Sequence, residues 1–128
     1  MARILLIDDD EGFRGMLQRT LQRAGYEVVA SGSGKEGLDL LSRVRVDLVL
    51  TDIIMPDMDG LEIIQRLRQT QPSLKIIAIS GGGRKKPDSY LKCAQLFGAL
   101  AVLTKPLDNQ QLFASIEAAL CSDGAGEG

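Results

Sequence analysis

Asp8, Asp9, Asp52, Ser80 and Lys105 each stand where a short apolar run stops. Ile4-Leu5-Leu6-Ile7 ends in Asp8-Asp9-Asp10-Glu11, Leu48-Val49-Leu50-Thr51 ends in Asp52, Ile76-Ile77-Ala78-Ile79 ends in Ser80, and Leu100-Ala101-Val102-Leu103 ends in Thr104-Lys105-Pro106. The chain contains no histidine, so Ser–His and Cys–His catalytic pairs are excluded. Chemistry here must run on carboxylates, an ammonium, hydroxyls, backbone groups or a metal ion. Carboxylates sharing one pocket repel, and one of them would stay protonated. A magnesium ion removes that conflict, because it takes oxygen ligands in octahedral geometry and keeps room for waters and phosphate oxygens. In such a pocket Asp52 becomes a nucleophile that forms an aspartyl phosphate. Lys105 brings positive charge to the phosphoryl oxygens, and Ser80 brings a hydroxyl donor. Alignment and charge neutralisation carry most of phosphoryl transfer.

Each residue also has an ordinary reading. A single Asp after a strand is usually a helix N-cap or a solvated turn residue, and Asp10 and Glu11 are assigned to that role. A lone Lys-Pro is most often a turn, and Ser80 before three glycines could simply begin a loop. The functional reading rests on several such residues closing the correct strands together.

The elements that must position these residues follow from periodicity. Five short apolar runs, the four above and a weaker one from Tyr26 to Ala30, alternate with five stretches of helical spacing. The first, third and fourth runs are apolar at nearly every position, as in strands covered by helices on both faces. Phe13, Met16, Leu17, Thr20, Leu21 and Ala24 recur at three- and four-residue steps and mark a first helix, with Gly25 where its C-terminal cap belongs. Leu38 and Leu41 mark a second. Leu61, Ile64 and Leu67 mark a third, opened by Asp59-Gly60 and stopped before Pro72. Pro87 opens a fourth, ending at Gly98. The fifth runs from about Leu107 to Leu120, with Leu112, Phe113, Ile116 and Leu120 inward. Five-fold strand–helix alternation predicts an α/β fold: a three-layer, flavodoxin-like (βα)5 unit whose five-stranded parallel sheet has the order 2-1-3-4-5. All strand C-termini then lie on one edge, where open α/β sheets bind ligands.

Composition fits a single domain over residues 1–121, followed by a Gly-rich tail, 122–128, expected to be disordered. The chain has 128 residues, 45% of them hydrophobic and 25% charged, and a formal charge of −2. That balance gives no reason to expect direct nucleic-acid or membrane binding. Cys93 and Cys121 form no CxxC pair, so a zinc site is not expected. The first apolar run is far too short for a signal peptide or a membrane span. A reduced, soluble, cytoplasmic protein is the expectation.

The chain resembles the bacterial response-regulator receiver domain over about Arg3 to Leu120. The residues that carry the likeness are Asp8-Asp9 with Arg14, the stretch Asp52-Ile53-Ile54-Met55-Pro56-Asp57-Met58-Asp59-Gly60, Ser80, Phe97-Gly98-Ala99 and Lys105-Pro106. The Asp52–Gly60 stretch is the specific one. The resemblance implies that Asp9 ligates magnesium directly, and Asp8 directly or through water. It implies that Asp52 takes the phosphoryl group and touches the metal, and that the Ile54 carbonyl supplies a further ligand. Lys105 would pair with the phosphoryl oxygens, Ser80 would hydrogen-bond to them, and the Lys105–Pro106 peptide would be cis. The phosphodonor would be a phosphohistidine on a histidine kinase or a histidine phosphotransfer protein, and the output a downstream protein target. Receivers often dimerise through their fourth and fifth helices, which leaves a homodimer open. A receiver removes only its own phosphoryl group and is not an enzyme with turnover.

Three features depart from the family pattern. Val102 replaces the aromatic residue often found three positions before the lysine, so an aromatic rotamer switch is unavailable. Gly81-Gly82-Gly83-Arg84-Lys85-Lys86 reads as a long basic loop. Ile54 and Gly82 carry no side chain that could orient an attacking water, so slow self-dephosphorylation is expected. Two rival functions remain at the level of sequence. One is a phosphorylation-independent interaction module with a receiver fold, against which the intact set of Asp9, Asp52, Ser80 and Lys105 argues. The other is a small aspartyl-phosphate phosphatase, which leaves the Met55–Gly60 turn unexplained.

Overall fold

A strand covered on both faces buries its odd and even side chains alike, and the three central strands do so here. The computed structural model describes residues 2–53, 55, 60–80 and 98–121. In chain order the elements are β1 (Arg3–Ile7), α1 (Glu11–Arg23), β2 (Glu27–Ser31), α2 (Gly34–Leu41), β3 (Leu48–Asp52), α3 (Gly60–Thr70), β4 (Lys75–Ser80), β5 (Ala101–Thr104) and α4 (Asn109–Cys121). The sheet is parallel throughout, in the order β2-β1-β3-β4-β5, as the alternation predicts. The helix expected from Pro87, the loop 81–86 and the tail 122–128 lie outside the described residues, as does Cys93.

Alternation along each strand divides the core in two. Leu5 and Ile7 of β1, Val49 of β3, and Ile76 and Ala78 of β4 face one way and pack with Ile63, Ile64 and Leu67 of α3. Leu38, Leu40 and Leu41 of α2 complete that layer. Ile4 and Leu6, Leu48 and Leu50, and Ile77 and Ile79 face the other way and meet Leu17 and Leu21 of α1 and Leu112, Ile116 and Ala119 of α4. Each fully buried Leu or Ile contributes about 1.5–3 kcal/mol of transfer free energy. Helix α2 lies so close to β1 that a Cβ at Gly37 would stand 2.5 Å from Ile7 Cδ1.

Local signals set the helix ends. Asp10 caps α1, its carboxylate accepting from the Phe13 N–H at 3.1 Å, which is the role assigned to it from sequence. Gly25 follows the C-cap Ala24 with φ of 101°, a left-handed conformation that glycine adopts freely. Ser33 caps α2 by accepting from Glu36 N–H at 3.1 Å. Helix α4 starts at Asn109 rather than near Leu107, because the Asp108 carboxylate takes the Gln110 N–H at 3.0 Å and fixes the boundary there.

The inner stripe of α1 is narrower than its periodicity suggests. Leu17 and Leu21 are buried, but Met16 is 47% exposed and Ala24 lies at the surface. A helix resting on one face of a sheet needs only one apolar stripe. Among the described residues no helix is long and apolar enough to cross a membrane.

Candidate functional site

The parallel sheet brings the C-terminal ends of β1, β3, β4 and β5 to one edge, and with them Asp8 and Asp9, Asp52, Ser80 and Lys105. In register, Asp52 pairs with Ile79 and Ser80 pairs with Thr104, so Ser80 is one step along β4 from the neighbour of Asp52. Asp8, Asp52 and Ser80 are buried, whereas Asp9 is exposed. Carboxylate oxygens of Asp8, Asp9 and Asp52 all lie within 4.8 Å of one another. Lys105 Nζ stands 3.1 Å from Asp8 Oδ2 and 3.6 Å from Asp52 Oδ2.

The backbone around these groups is tightly held. The Asp8 N–H donates to the Ser31 carbonyl at 3.1 Å, tying the end of β1 to β2. The Asp10 N–H donates to Asp8 Oδ1 at 2.9 Å and fixes the rotamer of that carboxylate. Arg14, on the first turns of α1, donates from Nη1 to the Asp8 carbonyl at 2.7 Å. Its guanidinium lies over Gly32, where a Cβ would meet Nη1 at 3.0 Å. The Ile53 N–H donates to the Ile79 carbonyl at 3.0 Å, and Thr51 Oγ1 donates to the Asp52 carbonyl at 3.0 Å. On the opposite side the Lys105 N–H donates to the Ser80 carbonyl at 2.8 Å. The Lys105–Pro106 peptide is cis.

Electrostatics bind the cluster together. Burial by itself would lower the pKa of the Lys105 ammonium. The Asp52 and Asp8 carboxylates outweigh that effect by charge and hydrogen bonding, and the pKa is raised above its ordinary value of 10.5. The crevice thus gathers three carboxylates and one ammonium, a set that could hold a metal ion.

The donor set fits such an ion. Its atoms are all carboxylate oxygens, the ligands that hard cations prefer. Asp8, Asp9 and Asp52 are therefore the residues that could hold it. Ile54, whose carbonyl the family resemblance adds to the ligand set, lies outside the described residues.

Two contacts of the site went unread in the sequence. Lys105 Nζ lies 4.1 Å from the centroid of the Phe13 ring, although periodicity assigns Phe13 only to the core. Arg14 grips Asp8 through its backbone, although it stands out in the sequence only as a family marker. The available signal for both was their position in the first turn of the helix that follows the acidic pair.

Comparison with known proteins agrees with this geometry. The profile of the family described as "Response regulator receiver domain" matches residues 4–117. The Escherichia coli (strain K12) "Transcriptional regulatory protein GlrR" is 39% identical over 119 residues, covering 93% of this chain and 26% of that protein. The "Response regulator MprA" of Mycolicibacterium vanbaalenii is 37% identical over 130 residues, covering 98% of this chain and 55% of that protein. The chain thus spans about a quarter to about half the length of these relatives. A crystal structure of a response regulator receiver domain protein from Clostridium thermocellum superposes with a TM-score of 0.90 at 28% identity, covering 98% of both chains. With its strand order, its acidic edge and a family profile matched across nearly its whole length, the chain belongs to the response regulator receiver domain family.

Proposed function

We propose that this receiver accepts a phosphoryl group on Asp52 from the phosphohistidine of a histidine kinase or histidine phosphotransfer protein, and that the modified chain changes its affinity for a downstream protein target. The observation that carries the reading is the convergence of Asp8, Asp9 and Asp52 with Lys105 on one strand edge. An Asp52 carboxylate oxygen attacks phosphorus and forms the P–O bond, while the P–N bond breaks and its electron pair leaves on the imidazole nitrogen. Magnesium, held by Asp8, Asp9 and Asp52, would supply charge neutralisation to the incoming phosphoryl oxygens. Lys105 adds a fixed positive charge beside the acceptor and Ser80 a hydroxyl donor. Asp10 and Arg14 keep Asp8 in the orientation it needs.

The modification replaces one carboxylate charge by a group with close to two negative charges and three acceptor oxygens. Lys105 then gains a stronger partner than Asp8, and the strand ends carrying Lys105 and Ser80 feel the change first. Activation is a population shift towards the arrangement that satisfies the new oxygens. The same reading puts the protein in the cytoplasm and gives it no turnover beyond loss of its own phosphoryl group.

Incubation with acetyl phosphate and magnesium chloride, followed by mass spectrometry of the intact chain, tests the proposal. The expected result is a magnesium-dependent gain of one phosphoryl group, absent in Asp52→Asn. Equal gain in both proteins overturns the assignment. Output that is unchanged in Asp52→Asn would instead favour the phosphorylation-independent module.

A further inference from the structure

Phe13 is the third residue of α1 counting from Glu11, and its N–H is the one taken by the capping carboxylate of Asp10. The cap therefore fixes where this side chain leaves the helix. Its ring is partly buried against the cluster that α1 and α4 share with the sheet. Lys105 Nζ lies 4.1 Å from the ring centroid. That ammonium, on a side chain only 18% exposed, faces Asp8 Oδ2 at 3.1 Å and Asp52 Oδ2 at 3.6 Å.

The physical situation of Lys105 is thus three-cornered. A lysine has a flexible four-carbon stem and loses considerable rotamer freedom when held in one place. Its two carboxylate partners, Asp8 at 3.1 Å and Asp52 at 3.6 Å, compete for the ammonium, so charge alone does not settle where it rests. The face of a phenyl ring carries negative quadrupole charge and attracts a cation, more strongly where water is excluded. We infer that Phe13 is a positioning residue: its ring holds the Lys105 ammonium in the crevice, within reach of Asp52, before any phosphoryl group arrives. An aliphatic side chain at position 13 would keep apolar contact with the core but lack this attraction. The inference rests on Asp52 as acceptor for its consequence, but the contact itself exists without phosphorylation.

The test uses the wild-type chain, Phe13→Leu, Phe13→Tyr and a series with one to three fluorines on the ring of residue 13. Fluorination drains the ring face while nearly preserving its shape. The first readout is the NMR shift of the Lys105 ε-methylene protons in the unphosphorylated chain, assigned by its loss in Lys105→Arg. The ring should move this signal upfield in wild type and Phe13→Tyr and leave it near the ordinary lysine position in Phe13→Leu. The second readout is the rate of Asp52 labelling by acetyl phosphate at saturating magnesium. Phe13→Leu should be roughly 3- to 10-fold slower, Phe13→Tyr close to wild type, and the fluorinated chains graded between.

A Lys105 signal that does not differ between wild type and Phe13→Leu overturns the contact. Equal labelling rates in those two chains, or a slow Phe13→Leu with no trend along the fluorinated series, overturns the positioning role and leaves packing alone. If the wild-type chain takes no label, the parent reading of Asp52 fails and the ε-methylene shift alone decides whether the ring holds the ammonium.

Discussion

Arg14 reaches back from the first turns of α1 to donate to the backbone carbonyl of Asp8 at 2.7 Å. The contact holds the peptide that joins Asp8 to Asp9, and both carboxylates depend on that peptide for their direction. Groups that orient metal ligands from behind typically cost 10–100-fold in metal affinity when removed. Arg14→Ala is therefore expected to weaken magnesium binding roughly 10-fold or more, with Arg14→Lys intermediate, by calorimetric titration of the unphosphorylated chain. Affinity equal to wild type in Arg14→Ala would show that Asp8 is held well enough by its other bonds.

The close approach of α2 to β1 makes a second prediction. A methyl group at residue 37 would press on Ile7 Cδ1, whose side chain is fully buried. Overpacking of this kind typically costs about 1–3 kcal/mol. Gly37→Ala should lose that much in urea denaturation, with the slope unchanged.

Asp10 separates structural from chemical acid. Loss of an N-cap carboxylate costs about 0.5–2 kcal/mol, whereas Asn retains the acceptor. Asp10→Ala should fall in that range in a denaturant melt, and Asp10→Asn should stay close to wild type. If both variants lose the same amount, charge rather than capping carries the effect.

Tyr26 gives a pH dependence. Burial, then the negative charges of Glu117 and Cys121, raise the phenol above its ordinary pKa of 10.0. A raised value means that the folded chain holds this proton more tightly than the unfolded chain does. The resulting stability is fully present below the unfolded pKa of about 10 and is lost as pH rises through the folded value. Absorbance titration in a Tyr90→Phe background should show Tyr26 ionising above its ordinary value. Glu117→Gln should bring it partly back. A transition at or below the ordinary value in the Tyr90→Phe chain contradicts this account.

The fold was legible because its strands are simple. Runs such as Ile4–Ile7 and Ile76–Ile79 are apolar on both faces, so each polar residue that ends one marks the sheet edge without ambiguity. The sequence alone therefore assigns the acidic pair, Asp52, Ser80 and Lys105 to one strand edge. Met16 has helical spacing and yet is exposed, because spacing shows which residues share a stripe but not how wide a stripe the neighbouring layer covers. The start of α4 was misread because apolar periodicity ignores the hydrogen bond that Asp108 makes to Gln110 N–H. The contacts of Phe13 and Arg14 join residues far apart in sequence, or a side chain to a carbonyl. Neither kind of contact leaves a period to read, and the one signal is position in the first turn of α1. Expectations for Ile54, for the glycine loop after Ser80 and for the helix from Pro87 concern segments outside the described residues.

Strand β3 is hydrogen-bonded to β1 on one edge and to β4 on the other, and all five of its residues are buried. A segment enclosed in this way has no route to local fraying, so its amides exchange with solvent only when the whole domain opens. Core mutations remote from the strand edge will therefore act on β3 as a unit, changing the fraction of molecules in which it is formed and with it the setting of Asp52.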